Sequence, residues 1–317
     1  MKCIASAVTS LLLASAAHAA DYPSRPIHFI IGSAPGSVID VVTRQLADRL
    51  AAQLDQKVIV ENRPSAGGIV ALGAVKASPP DGYTLSTVAM PQLCVSPALF
   101  PHLPYDPVND FAPVGILYRG PQFLVVHADV KARTFAELVE LSRLKKGTLR
   151  YSSPGNGTPS HVLMEEIRHQ SGADIQHIPY KGPTAYTAVL AGEVDALLEG
   201  VGPMLPYVQS GQLRALAVTG NRRIASMPAV PTFEELGIRG IDAVWVGIVA
   251  PRGTPPAIVE LLNAQLALAL RAPQLQASFE AAGRAIAVGT PQEMTDTVKA
   301  DLARWRDVVK RAGIVAE

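Results

Sequence analysis

Ser160 and His161 are the residues whose types first suggest catalysis. A nucleophile and its base need hydrogen-bond reach, and neighbouring residues on a helix diverge, so the pair does not fit that chemistry. His161 is better placed to cap, to pack or to touch a ligand. His177 falls within an expected strand and reads as structural. Asp195 and Glu199 stand at the two ends of the strand Val194–Glu199, and only Glu199 is at the carboxyl end, where a side chain can enter a cleft or simply meet solvent. Cys94 has no His and Asp arranged around it and reads as a small buried apolar residue. There is no His-Glu-x-x-His, Cys-x-x-Cys, nucleotide-loop or Gly-x-Ser-x-Gly pattern. No catalytic residue, metal site or cofactor is expected.

Binding chemistry is better represented. Residues Tyr151 to His161 run from a short strand through Ser153-Pro154-Gly155-Asn156-Gly157-Thr158 into a helix begun by Pro159. A strand, a Gly-rich turn and a helix start direct several backbone N–H groups at one spot, which attracts anions without a cationic side chain. Taken alone, the stretch is also what an ordinary turn capped by Thr158 looks like. A second stretch repeats the arrangement. The strand Ile27–Ile31 is followed by Gly32-Ser33-Ala34-Pro35-Gly36-Ser37 and a helix with Val41, Val42, Leu46, Leu50 and Leu54 on its apolar face. Ser37 caps it, with Asp40 three residues on, a variant of the capping box. Two such half-sites facing each other would hold a small carboxylate from both sides.

The elements that must position these loops follow from the chain as a whole. Lys2, the apolar run Ile4–Ala17 and Ala17-His18-Ala19 form an export signal, with cleavage expected after Ala19. The run is too short to span a membrane, so a periplasmic protein is expected. Removing the signal takes Cys3 and leaves Cys94 unpaired, so about 298 residues must hold together by core burial alone. Lys2 leaves with it, so the 28 basic residues fall to 27 and balance the 27 acidic ones, which argues against a nucleic-acid partner.

From Lys57 onward the pattern alternates strand and helix, as in a parallel sheet with right-handed crossovers. Expected strands are 57–62, 83–88, 111–118, 122–127, 149–153, 174–179, 194–199, 213–219 and 243–250. Expected helices are 69–77, 135–145, 159–170, 184–191, 204–209, 257–270 and a last one from Pro291. The Gly67-Gly68 pair reads as close packing rather than phosphate binding. Met90-Pro91-Gln92 follows a strand at its carboxyl end, where open α/β sheets take ligands. Two apolar strands meeting at Arg119-Gly120-Pro121 suggest a crossing into a second domain, and 243–250 the return. The expected division is a signal at 1–19, a first domain of 20–119 with 248–317, and a second of 120–247.

The ordered landmarks Glu61-Asn62-Arg63-Pro64, Pro80-Asp81-Gly82-Tyr83-Thr84, Pro104-Tyr105-Asp106-Pro107, Pro179-Tyr180-Lys181-Gly182, Leu213–Thr219 and Val230-Pro231-Thr232 are together specific. On them the chain resembles the Bug-type receptors, the extracytoplasmic solute-binding components of tripartite tricarboxylate transporters, from Tyr22 to Ile314. The resemblance implies an α/β, two-domain periplasmic-binding-protein fold, type II-like, with a hinged cleft between the domains. It implies a carboxylate gripped by backbone amides and ordered waters between loops that match Ser33–Ser37 and Ser153–Thr158 here. This sequence departs from the family pattern at Ser33, where an aromatic is usual, and at Ser37 and Ser65, where glycine is. The strand-end acid, commonly Asp, is Glu199.

The ligand-binding residues expected are Ser33, Ala34, Gly36, Ser37 and Asp40 in one jaw and Ser153, Asn156, Gly157, Thr158 and His161 in the other. Asp40 would organise its own loop, since it would repel an anion. Met90, Gln92, Glu199 and Trp245 are expected on the pocket wall. A micromolar dissociation constant corresponds to roughly 8 kcal/mol, and hydrogen bonds to a charged carboxylate contribute about 1.5–3 kcal/mol each. Four or five donors shared across a hinge are enough and favour closure. The expected partners are a small carboxylate and the membrane subunits of the transporter, with the chain itself a monomer. The alternatives are a sensory module that signals to a receptor kinase and, least favoured, a periplasmic hydrolase using His161.

Overall fold

The computed structural model describes residues 22–315, and the export signal expected at 1–19 lies outside the described residues. Two sheets organise the chain. The first is built from β1 (Ile27–Ile31), β2 (Val58–Asn62), β3 (Thr84–Ala89), β4 (Phe111–Gly120), β10 (Val244–Pro251) and β11 (Ala285–Ile286), in the order β11-β4-β10-β3-β1-β2. The second holds β5 (Gln122–His127), β6 (Leu149–Ser153), β7 (Ile175–Pro179), β8 (Ala196–Gly200) and β9 (Leu213–Val218), in the order β7-β6-β8-β5-β9. The helices are α1 (Val38–Leu54), α2 (Ile69–Lys76), α3 (Met90–Cys94), α4 (Ser96–Leu99), α5 (Phe135–Leu144) and α6 (Pro159–Ser171). After these come α7 (Thr184–Leu190), α8 (Val201–Gln209), α9 (Pro256–Leu270), α10 (Pro273–Ala281) and α11 (Pro291–Ala312).

The sheets are mixed, not parallel as the alternating pattern suggested. β10 runs antiparallel to both β3 and β4, and β5 antiparallel to both β8 and β9. The cause is the crossing itself. β5 and β10 are the strands the chain enters on arriving from the other sheet, so they start at the end where β3 and β8 finish. Pro121 marks the first crossing, with no helix between β4 and β5. The second crossing lies between Val218 and Val244. The boundary expected at 247/248 therefore cuts through β10, which belongs wholly to the first sheet.

Short elements escaped the sequence reading because they carry too little periodicity. Helices α3 and α4 have 5 and 4 residues, and α10 buries only Leu275 and Phe279, one helical turn apart. Packing explains the longer elements. The apolar face of α1 (Val42, Leu46, Leu50) covers Ile27 and Phe29 on one side of the first sheet, with Leu262 and Leu266 of α9. On the second sheet, Phe123, Val125 and Leu197 pack with Val189 and Met204. A third core is shared by both sheets: Ile30, Val88 and Trp245 join Leu124, Tyr151 and Leu163, with Trp305 and Val309 of α11 among them. Among the described residues no helix is long and apolar enough to cross a membrane.

Candidate functional site

Strand register decides where the two Gly-rich loops lie. In the first sheet Gly120 stands opposite Val244, and Ala89 opposite Val246, so β3 ends beside the crossings. β1 runs parallel to β3 and delivers the Gly32–Ser37 loop to that same end. In the second sheet Gln122, just past Pro121, stands opposite Gly200, so β8 also ends at the crossing. β6 runs parallel to β8 and delivers Ser153 there. Both loops thus sit at the carboxyl ends of parallel strands, where α/β sheets bind ligands, and at the ends through which the chain passes between sheets.

The first loop is held by its own side chains. Ser37 is the N-cap of α1 and its Oγ accepts from the Asp40 amide at 3.3 Å. Asp40 does not complete a capping box. Its Oδ2 accepts from the Gly36 amide at 2.8 Å, one residue further back than a box requires, while Ser37 N–H donates to the Ala34 carbonyl. Asp40 Oδ1 accepts from Arg44 Nε at 3.0 Å and from Asn62 Nδ2 at 2.8 Å, and the same Asn62 amide donates to the Ser33 carbonyl. The Arg44 bond first, then the Gly36 amide and Asn62, hold the Asp40 carboxyl down at about 2 against the opposing effect of burial. Asp40 is buried and fully occupied, and Ala34 and Gly36 are exposed at the tip.

The second loop differs. Thr158 is the N-cap residue of α6, but its hydroxyl donates to the Gly155 carbonyl at 2.7 Å and no side chain caps the helix. Pro159 has no N–H, so the first-turn amides of Ser160 and His161 have no capping side chain. Ser153 Oγ lies 2.7 Å from His177 Nε2 and also meets both the amide and the carbonyl of Gly155. The Gly157 amide donates to His161 Nδ1 at 3.3 Å, which makes Nδ1 the acceptor and leaves the ring proton on Nε2. Asn156 is half-buried and has a contact of its own.

Behind this loop three rings are stacked. His161 lies 3.7 Å from His177, and His177 4.9 Å from Tyr151, centroid to centroid. Tyr151 donates to Glu165 Oε1, which also accepts from Arg168. Burial pushes the His161 imidazole down to about 4, and burial followed by its charged-state repulsion from His161 pushes His177 down to about 3. Both rings are therefore neutral at pH 7. His177, expected to be merely structural, is the plate on which His161 rests and the partner of Ser153. Tyr151 was not singled out by the sequence, because only the pairing of β6 with β7 sets it opposite His177.

The two loops share a wall. At Gly32 a Cβ would come 2.5 Å from Gly68 Cα and 3.1 Å from Gln92 Nε2, so Gly67-Gly68 serves close packing as expected. At Gly157 (φ +72°) a Cβ would come 2.3 Å from Leu99 Cδ1, so the second loop touches α4 of the first sheet's layer directly. The α3–α4 segment is thus the surface on which both loops converge. Gln92 lies in it, with Oε1 accepting from the Ala89 amide at 2.8 Å. Met90 and Trp245, by contrast, are core residues, 3% and 1% exposed, and the indole N–H donates to Asp301 at 2.7 Å. Met90 opens α3 and Trp245 lies in β10, and both side chains belong to the shared core.

Glu199 is not a solvated strand end. It accepts from the Gly200 amide at 2.8 Å, lies 3.4 Å from the Ser160 hydroxyl and pairs with Tyr186, while burial raises its carboxyl above the usual range. It is placed beside the start of α6. Cys94 is buried, its S–H directed at the Val298 carbonyl and its thiol raised well above the usual range by burial. Among the described residues no group of three or more His, Cys, Asp or Glu side chains could hold a metal.

Over residues 42–314 the sequence matches the family described as tripartite tricarboxylate transporter family receptor. Protein BugT of Bordetella pertussis is 35% identical over 316 residues, covering 97% of each chain. Among solved structures, an R. palustris protein with adipate superposes with a TM-score of 0.81 at 30% identity, covering 93% of this chain and 99% of that one. MatC from Rhodopseudomonas palustris with bound malate superposes with a TM-score of 0.78 at 28% identity, covering 91% of this chain and 100% of that one.

Proposed function

The chain belongs to the tripartite tricarboxylate transporter receptor family, and from that premise we propose that it is a periplasmic receptor that closes on a small carboxylate and presents it to the membrane subunits of a transporter. The observation that carries the proposal is the start of α6. A helix N-terminus without a capping side chain opens beside a Gly-rich loop, at the sheet end where the chain crosses between sheets. Those amides, with the partial positive charge of the helix end, supply donors to an anion at neutral pH. The relatives solved with adipate and malate make a dicarboxylate the first class to try.

In this reading residues 22–120 with 244–315 form one body and 121–243 the other, with the hinge at Pro121 and between 218 and 244. Each body carries one loop, so a bound carboxylate joins them, and the liganded cleft favours closure. Glu199, with its raised carboxyl beside the α6 start, discriminates among ligands by accepting a hydrogen bond from a ligand hydroxyl or amine.

A thermal-shift and calorimetric screen of mono-, di- and tricarboxylates and acidic amino acids tests the proposal. One acid should raise the melting temperature, by about 2.7 kcal/mol of stability at a hundredfold excess over its dissociation constant. Glu199→Gln should change the ranking among hydroxylated and plain acids while leaving the binding of plain dicarboxylates in place; an unchanged ranking removes the role given to Glu199. If no acid shifts the folded, ligand-free protein, the receptor reading fails. Co-purification of the ligand-bound form with transporter subunits checks delivery, and capture of a sensor kinase instead would reassign the partner.

A further inference from the structure

At the far end of the first sheet from the site just described lies a groove of about 360 Å³. Register places it there: Phe111 pairs with Pro251 at one end of β4 and β10, and Gly120 with Val244 at the other. Seven residue steps along β10 separate Val244 from Pro251, roughly 24 Å at the usual rise. The volume is within the range of about 300–1,000 Å³ typical of small-molecule sites.

The lining has a consistent chemistry. Val108, Phe111, Pro113 and Val298 make it apolar, and Arg252 is its one ionisable residue. The hydroxyls of Thr254 and Thr295 both donate to carbonyls of their own turns, so neither offers its proton to the groove. Among the described residues nothing pairs with the Arg252 guanidinium. The nearby Asp110 accepts the Arg252 backbone amide through its carbonyl, but its carboxylate is engaged by Lys76 and by the Asp106 amide. The guanidinium therefore stands exposed at the rim of an apolar trough, solvated and without a protein partner among the described residues.

We propose that this groove is a second binding site, remote from the interdomain site, for an amphiphilic monocarboxylate whose hydrocarbon body lies along Phe111, Pro113 and Val298 and whose carboxylate pairs with Arg252. A single planar fork of donors matches one carboxylate bidentately. A doubly charged phosphate would be left half compensated, and a neutral apolar molecule would leave the guanidinium without a partner.

The probe is sodium octanoate, with octanamide as its uncharged isostere, titrated into the isotopically labelled protein while backbone amide shifts are followed. Octanoate should give saturable shifts at Gly253, Thr254, Ala112 and Thr295, and octanamide should bind at least tenfold more weakly. Arg252→Gln, at an exposed residue without a side-chain partner, should weaken octanoate at least tenfold and leave octanamide unchanged, as expected for loss of one charge-assisted bond. Thr295→Phe, which fills the groove from α11, should weaken both. Shifts that do not saturate, or that appear only around residues 153–158, would overturn the proposal. Equal binding of octanoate and octanamide would overturn the carboxylate assignment and turn the groove into a docking surface for an apolar peptide.

Discussion

The loops that follow β1 and β6 have the same ingredients, a strand end, glycines, a hydroxyl N-cap and a helix, and they use them in opposite ways. In the first, Ser37 and Asp40 spend their side chains on the helix start and the turn, and Arg44 and Asn62 pin Asp40 in place. In the second, the Thr158 hydroxyl turns back to Gly155 and leaves the α6 amides without a capping side chain, while a stack of neutral rings supports the turn from behind. A loop saturated by its own carboxylate is rigid but offers an anion little. In the second loop the Gly155 and Gly157 amides are engaged within the turn, and it is the first-turn amides of α6, at Ser160 and His161, that lack a capping side chain. In the proposed receptor the anion grip falls chiefly to the α6 start within residues 153–161, and residues 33–40 supply shape.

The largest effect should come from Gly157→Ala. The backbone is left-handed there and the new methyl meets Leu99, so a loss of carboxylate affinity of at least a hundredfold is expected, read by calorimetry, with about 1–2 kcal/mol of backbone strain. Leu99→Ala in the same chain should restore part of the affinity; no recovery would leave strain alone as the cause. The next effect is on pH. His161 and His177 are neutral in the folded state down to about 4 and about 3, whereas an unfolded histidine takes up its proton near 6.5. Their folded values are depressed, so the stability they contribute is complete above 6.5 and is lost as the pH falls from there toward 4. On the order of 3 kcal/mol is at stake for the pair's first proton. Denaturation curves between pH 7 and 4 should show the loss, and His161→Gln should flatten it.

Asp40→Ala should cost about 2 kcal/mol in chemical denaturation, as a charged partner is withdrawn from Arg44, Asn62 and the Gly36 amide. Carboxylate affinity should fall much less than for Gly157→Ala, and the reverse ranking would break the division of labour between the loops. The Asp40 contribution, full above the ordinary carboxyl value near 3.8, should disappear as pH falls toward about 2. The smallest effect belongs to Trp245→Phe. Loss of the indole bond to Asp301 should cost about 1 kcal/mol of stability and leave ligand affinity unchanged, and a changed affinity would return Trp245 to the pocket.

Much of this was legible in the chain. The strand Leu149–Ser153 and the helix begun by Pro159 stand where apolar spacing and proline chemistry put them, and the role of Asp40 as organiser of its own loop follows from its sign of charge. What misled the reading was local likeness. Thr158 has the N-cap conformation and the residue type of a cap, yet its hydroxyl chooses the Gly155 carbonyl, a competition between neighbours that sequence does not rank. Trp245 near the start of β10 and Met90 just past the end of β3 point to the site by position, but the side to which each turns depends on how distant elements pack.

From sequence alone came the types and order of the longer elements, the paired Gly-rich turns and the near-neutral charge, because these depend on local spacing and composition. Tertiary structure decided the rest. Antiparallel β5 and β10 bring the two loop ends to the crossings, β6–β7 pairing stacks Tyr151 on His177, and the fit of Gly157 against Leu99 closes one layer on the other. Each of these joins residues far apart in the chain, and no local propensity records which distant neighbour a strand or ring will meet.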